Sequence, residues 1–166
     1  MAQKQFPINR EEHHFDAFEL LCFDICGPME QVLLVGSKFL LLIVEEASGY
    51  MKGFCLRAKS ETEDRAMKYI VMVDSQLDEK AKFVRYDGAR VFATNSLQVF
   101  REKEGADQQI TVPYAYQVNV TVERAIRTIF AIGRSILHHA KLDKCVLAEV
   151  AMTSVYVNNR LPSPNI

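Results

Sequence analysis

Tryptophan is absent from the 166 residues, and cysteine, proline and glycine are sparse at four, five and seven. So little proline and glycine excludes a collagen-like or low-complexity chain. Four cysteines over this length exclude a small disulfide scaffold that substitutes bridges for a core. Long hydrophobic runs are also missing: the longest, Phe39 to Val44, is far short of the ~20 residues a membrane helix needs, and reads as a buried strand. The first twelve residues are polar and charged, without the apolar stretch of a secretory signal. Neither charge sign dominates, since 20 Lys and Arg face 21 Asp and Glu for a net charge of −1. That balance argues against a chain that is electropositive throughout. No internal repeat of solenoid type is present.

What remains is a chain 49% hydrophobic and 25% charged, as expected of one globular domain with a real core. Of the four cysteines, Cys22, Cys26, Cys55 and Cys145, three lie in apolar runs and none has zinc-ribbon spacing. They read as reduced thiols of a cytosolic or nuclear protein. The balanced net charge hides an asymmetry. Residues 11–30 carry six acids (Glu11, Glu12, Asp16, Glu19, Asp24, Glu30) and no Lys or Arg, whereas residues 120–144 carry Arg124, Arg127, Arg134, Lys141 and Lys144 against Glu123 and Asp143. The second stretch is the better candidate for meeting phosphates.

Residues 1–17 read as a loose polar tail and 18–166 as the domain. Apolar runs predict strands over 19–25, 37–46 and 50–57, joined by the short turn Ala47-Ser48-Gly49 into an antiparallel meander. Gly27-Pro28 stops the first of them. Ser60 and Glu63 have capping-box spacing, and Ala66, Tyr69, Ile70 and Val73 continue at helical spacing to about Leu77. A fourth strand is predicted over 82–86, a short helix over 96–104, and a fifth strand over 109–112, stopped by Pro113. Asn119 is placed to cap a long helix over 120–139 with Val122, Ile126, Ile129, Ile136 and Leu137 on one side, and a last helix spans 143–159. The order predicts an α/β fold with a five-stranded mixed sheet and helices on both faces.

Three acids stand out. Asp24 interrupts a run of Leu, Cys, Phe and Ile, where an unpartnered carboxylate is costly. Asp87 follows the C-terminal end of a predicted strand, the edge at which open α/β sheets build their sites. Glu123 lies in the first turn of a helix beside Arg124 and Arg127. Each has an ordinary explanation: a strand end for Asp24, a turn before Gly88 for Asp87, and the helix dipole for Glu123. If the strands bearing Asp24 and Asp87 are neighbours under the long helix, the three converge. Such a cluster repels itself unless cations neutralise it, and oxygen-only ligands favour Mg²⁺ or Mn²⁺.

Between Asp87 and Glu123 lie 123 − 87 − 1 = 35 residues. Together with FDICGPM, VRYDG and TVPYAYQVNVTVER around the three acids, that separation resembles the acidic triad of the integrase catalytic core of copia-type LTR retrotransposons. FDICGPM (Phe23 to Met29) is similar to HSD-[VI]-CGPM, and LLIVEEASGYMKGFCLRAKSE (Leu41 to Glu61) to FIDDFSRYTWVYFLKSKSE. VRYDG (Val84 to Gly88) stands where the family has LRSDNGGE, and TVPYAYQVNVTVER (Thr111 to Arg124) where it has TVPYTPQQNGVAER. AEVAMTSVYVNNRLPSP (Ala148 to Pro164) resembles AEAVATAVYLLNRSPT. The resemblance runs from about residue 18 to the C-terminus.

The resemblance implies a ribonuclease-H-like fold and two-metal-ion polynucleotidyl transfer, which trims an element's 3′ end and joins it to target DNA. It implies Asp24 bridging both Mg²⁺ or Mn²⁺ ions, Asp87 on one and Glu123 on the other, with Asn119, Arg124, Arg127 and Arg134 toward DNA. It further implies element ends and target DNA as partners, a homo-oligomer when functional, synthesis in the cytoplasm and action in the nucleus. Against that family the chain reads as the core alone, without the zinc module before it or a basic domain after Pro164. His13-His14 with Cys22 and Cys26 do not have that zinc module's spacing. His138-His139 falls in the last turn of a helix, where cations are favoured.

The chain departs from the pattern after Asp87, where Gly88, Ala89, Arg90 and Val91 replace Asn, Gly, Gly and Glu. It departs again before Glu123, where Tyr116, Val118 and Val120 replace Pro, Gln and Gly. A catalytically decayed remnant serving as a nucleic-acid-binding or interaction module therefore stands beside the enzyme reading. A ribonuclease H is a third reading, and would need Glu63 or Asp64 to face Asp24.

Overall fold

The computed structural model describes residues 15–29, 36–77, 81–86 and 120–162. Strands β1 (Leu20–Cys26), β2 (Phe39–Glu45), β3 (Met51–Leu56) and β4 (Phe83–Tyr86) form one sheet in the order β3-β2-β1-β4. β1 pairs antiparallel with β2, and β2 antiparallel with β3, as the meander predicts. β4 is laid parallel to β1, so the sheet is mixed. Four strands are described where the sequence predicts five. The predicted fifth, 109–112, lies outside the described residues, as does the predicted helix over 96–104.

Three helices cover the sheet: α1 (Thr62–Leu77), α2 (Val120–Ala140) and α3 (Leu147–Asn158). The alternation of side chains along β1 separates two cores. Leu21 and Phe23 meet Ala66, Tyr69, Ile70 and Val73 of α1 on one face. Leu20 and Cys22 meet Val122, Ala125 and Ile129 of α2, with Ala151 and Val155 of α3, on the other. The packing reaches back beyond β1, for the ring of Phe15 stands edge-on to Phe83 at 6.0 Å between centroids.

Local chemistry explains the boundaries. Gly27 (φ +128°) ends β1 where a Cβ would come within 2.6 Å of the Lys38 carbonyl oxygen and 2.9 Å of the Phe39 ring. The same carbonyl accepts the Met29 N–H at 2.8 Å, so the chain is drawn against the start of β2 where only glycine fits. At the other end of β2 the carboxylate of Glu45, 1% exposed, accepts from Ala47 N at 2.8 Å, from Ser48 N at 2.6 Å and from the Ser48 hydroxyl. A buried anion is thereby satisfied by the turn it organises. The Ser60–Glu63 capping box is not what starts α1. A 3₁₀ turn, Lys59–Glu61, precedes the helix, and the Glu61 carboxylate accepts the Ala58 N–H at 3.3 Å. Ala58 has no side-chain acceptor to return, so half of the reciprocal pair is made.

α2 and α3 approach closely because their contact is built from small groups: a Cβ at Gly133 would stand 3.5 Å from Val150 and 3.6 Å from Ser154. Of the residues that spacing places on the buried side, Val122, Ile129 and Leu137 are buried and Ile126 and Ile136 half-buried, Ile126 packing against the core, and Ala125 and Gly133 are buried as well. Asn159, just past α3, brackets the first residue of β3. Its Oδ1 accepts Met51 N–H at 2.9 Å, and its Nδ2 donates to the Met51 carbonyl at 2.7 Å.

Candidate active site

The side chains of Leu20 and Cys22 lie on the α2/α3 face, and Asp24, two residues on, continues that face. The run loosens where Asp24 stands: Leu20 to Phe23 are buried, whereas Asp24, Ile25 and Cys26 are half-exposed. One carboxylate oxygen of Asp24 accepts the Ile25 N–H at 2.7 Å. The carboxylate thus sits at the open end of a buried strand, where it can be both held and reached.

β4 supplies the second strand. Its register with β1 pairs Cys22 with Arg85 and Phe23 with Tyr86, the last described pair. Asp24 and Asp87 are the residues that follow each in the chain. Asp87 itself lies outside the described residues, as does Asn119. Glu123 is in the first turn of α2 and exposed, between buried Val122 and Ala125. Arg124, Arg127 and Arg134 are likewise exposed on α2. Spaced by three and seven residues, they share a side of the helix, with His138 four further on.

Sequence reasoning missed Glu46. This residue follows β2 directly, and its N–H donates to the Leu20 carbonyl at 3.1 Å. Its carboxylate takes one donor from each of two elements: Thr121 Oγ1 of α2 at 3.1 Å, and Cys22 Sγ of β1 at 3.3 Å. The signal available was the pair Glu45-Glu46 at the end of the apolar sextet, an acid beside a buried run as conspicuous as Asp24. Burial pushes the Cys22 thiol up to about 12, helped by the Glu46 charge and opposed by Arg85. Arg85 brings its guanidinium to this thiol, while its Nε is buried and finds no hydrogen-bond partner among the described residues. The Cys26 thiol is also pushed up, by burial first and then by the charge of Asp24.

Both thiols on the Asp24 face are disfavoured as thiolates, and the carboxylate oxygens of Asp24 and Glu46 are the hard donors that lie with them. Among the described residues no three His, Cys, Asp or Glu side chains gather to hold a metal. A triad with Asp87 reaches beyond them. Glu63 and Asp64 belong to α1, which packs on the opposite face of β1 from Asp24, and Asp64 pairs with Lys68 at 2.8 Å. No helix among the described residues is long and apolar enough to cross a membrane.

No protein-family model matches the chain. A retrovirus-related Pol polyprotein from transposon TNT 1-94 of Nicotiana tabacum is 30% identical over 152 residues, 92% of this chain. A retrovirus-related Pol polyprotein from transposon RE2 of Arabidopsis thaliana is 23% identical over 127 residues, 76% of this chain. The chain spans 11% and 9% of the lengths of these two curated relatives. Similarity over nearly the whole chain makes it homologous to a segment of the retrovirus-related Pol polyproteins of plant transposons.

Proposed function

We propose that this chain is the integrase catalytic core of a retrotransposon polyprotein, of ribonuclease-H-like fold, joining DNA ends by two-metal-ion polynucleotidyl transfer. The observation that carries the reading is the parallel pair β1–β4, whose last described partners, Phe23 and Tyr86, immediately precede Asp24 and Asp87. Glu123 supports it from the first turn of the helix packed on the Asp24 face. Asp24, Asp87 and Glu123 would hold Mg²⁺ or Mn²⁺, which when bound supply Lewis-acid stabilisation and an activated oxygen nucleophile. Asp24, on a strand tied to neighbours at both sides, is the fixed member; Glu123, exposed on a helix end, is the member that closes on the substrate. Arg124, Arg127 and Arg134, with Asn119 ahead of the helix, serve the phosphates of element and target DNA, whose affinity falls steeply with salt. The nucleophile is water when an end is trimmed and the freed 3′-hydroxyl when it is joined.

A second reading, a remnant that folds without joining DNA, is favoured by Val120. This β-branched residue opens α2 with 38% exposure where the resemblance has glycine. Val cannot bring its backbone as close to a phosphate as glycine can. A strand-transfer assay with Mn²⁺ and duplexes of the element's terminal sequence separates the readings. The enzyme joins ends, and Asp24→Asn abolishes joining; a remnant joins none, and Val120→Gly with Tyr116→Pro raises its activity from background.

A further inference from the structure

We propose that Glu46 is a positioning residue that clamps the first turn of α2 to the sheet and so sets where Glu123 stands relative to Asp24. The first turn of a helix is its weakest part, because its leading N–H groups have no partners within the helix and open readily. Here that turn carries Glu123, and Val120 at its head is exposed. Two anchors oppose fraying. Val122 is fully buried against the sheet, and Thr121 donates its hydroxyl to Glu46 Oε1 at 3.1 Å.

Glu46 suits this task because it is itself fixed. Its backbone N–H is bonded to Leu20 of β1, and its second carboxylate oxygen takes the Cys22 thiol at 3.3 Å. Cys22 lies two residues before Asp24 on the same face, and Thr121 two residues before Glu123. One carboxylate therefore ties together the two segments that present the candidate metal ligands. Both bonds are charge-assisted or shielded from water, the setting in which a hydrogen bond holds geometry best. Placement matters for this chemistry, since an error of ~1 Å can cost roughly 10²-fold in rate.

The catalytic part of this role rests on the metal-site reading under Proposed function; the clamp does not, and two readouts keep them apart. The full chain is compared with Glu46→Ala, Glu46→Gln, Thr121→Val and Thr121→Ser. Amide hydrogen exchange is followed along α2, and the Mn²⁺ concentration for half-maximal thermal stabilisation is measured. Glu46→Ala and Thr121→Val should speed exchange over residues 121–125 by about 10-fold and leave 129–137 unchanged. Both should raise the Mn²⁺ midpoint several-fold. Thr121→Ser, which keeps the hydroxyl, should restore both readouts, and Glu46→Gln, which keeps one acceptor oxygen of the two and no charge, should fall between Glu46→Ala and the wild type. Thr121→Val preserves shape and guards against a Glu46 variant that fails to fold. Unchanged exchange in that turn overturns the clamp. Faster exchange with an unchanged Mn²⁺ midpoint overturns the positioning role. A wild-type chain indifferent to Mn²⁺ overturns the metal reading and the positioning role with it, while the exchange data still decide the clamp.

Discussion

Against α1 the sheet presents Leu21, Phe23, Leu41 and Ile43, large side chains with at most 1% exposure, and the helix answers with Tyr69, Ile70 and Val73. Against α2 and α3 the same strands present Leu20, Leu40, Leu42 and Val44 interrupted by Cys22, and the helices answer with Val122, Ala125, Ile129, Ala151 and Val155. Gly53 lies on this second side too, where a Cβ would stand 2.9 Å from Met152 Sδ. The first face is apolar throughout. The second is as deeply buried but is threaded by the polar chain Thr121–Glu46–Cys22, which leads toward Asp24. The contrast teaches that the two sides of one strand divide their duties: the odd residues of β1 serve the fold alone, whereas the even ones serve the fold and also lead to the candidate site.

The sharpest way to break that division is Phe23→Ala. Emptying a fully buried ring site on the α1 face should cost about 3–5 kcal/mol in denaturant unfolding. Cys22→Ala, one residue away on the other face, removes only a thiol and should cost far less. Comparable losses would show that both faces carry stability alike.

Next in size is the response to metal. Carboxylates brought together disfavour their own ionisation, so Mg²⁺ or Mn²⁺ at ~100 times its dissociation constant should stabilise the fold by ~2.7 kcal/mol. The melting temperature should rise by several degrees. Asp24→Asn should lose that rise while leaving the metal-free melt close to wild type. A metal-dependent rise that survives Asp24→Asn would move the site away from the even-residue face.

How much of this was legible beforehand depends on how far apart the partners are in the chain. β1 and β2 were readable because such apolar runs have no other home, and β3 because the turn at Ser48 and Gly49 returns the chain beside β2. Asp24 was readable as an acid inside such a run. Glu46 was visible as an acid beside such a run, but its role was not, because that comes from Thr121, 75 positions away. Asn159 was not, because its partner Met51 is 108 positions away. The helix start was misjudged for a local reason: Ser60 resembles a cap, yet a 3₁₀ turn from Lys59 shifts the reciprocal acid to Glu61. Small residues were undervalued on α2, where apolar spacing favours Ile126 and Ile136, but Ala125 is buried in the core under the sheet and Gly133 lets α3 approach.

A smaller effect tests the tie between α3 and the sheet. Asn159→Ala removes both hydrogen bonds to Met51 and should destabilise by about 2 kcal/mol. Asn159→Asp, which keeps the acceptor and loses the donor, should fall between. Equal melts for all three would mean that α3 needs no such tie.

The smallest expected effect lies outside both faces. The Glu19 carboxyl is held below its ordinary value by the Asp16 N–H first and by Lys82 second, the latter at 3.1 Å. A depressed acid contributes stability above its ordinary pKa and loses it as pH falls through the folded value. Unfolding followed between pH 6 and pH 3 should show a shallow decline at the acid end, shallower still in Lys82→Ala, with no change near neutrality.

The bracket made by Asn159 has a consequence for how the molecule keeps to itself. Among the described residues β3 is the outer strand on its side of the sheet, and an outer strand offers its backbone to any extended segment that drifts past. At Met51 the side-chain amide supplies one donor and one acceptor, the same pair that a residue of an incoming strand would supply. Asn159 is in that sense a one-residue counterfeit of a neighbouring strand. Wherever many copies of this chain are crowded together, it denies them the first rung on which a ladder between molecules would be built.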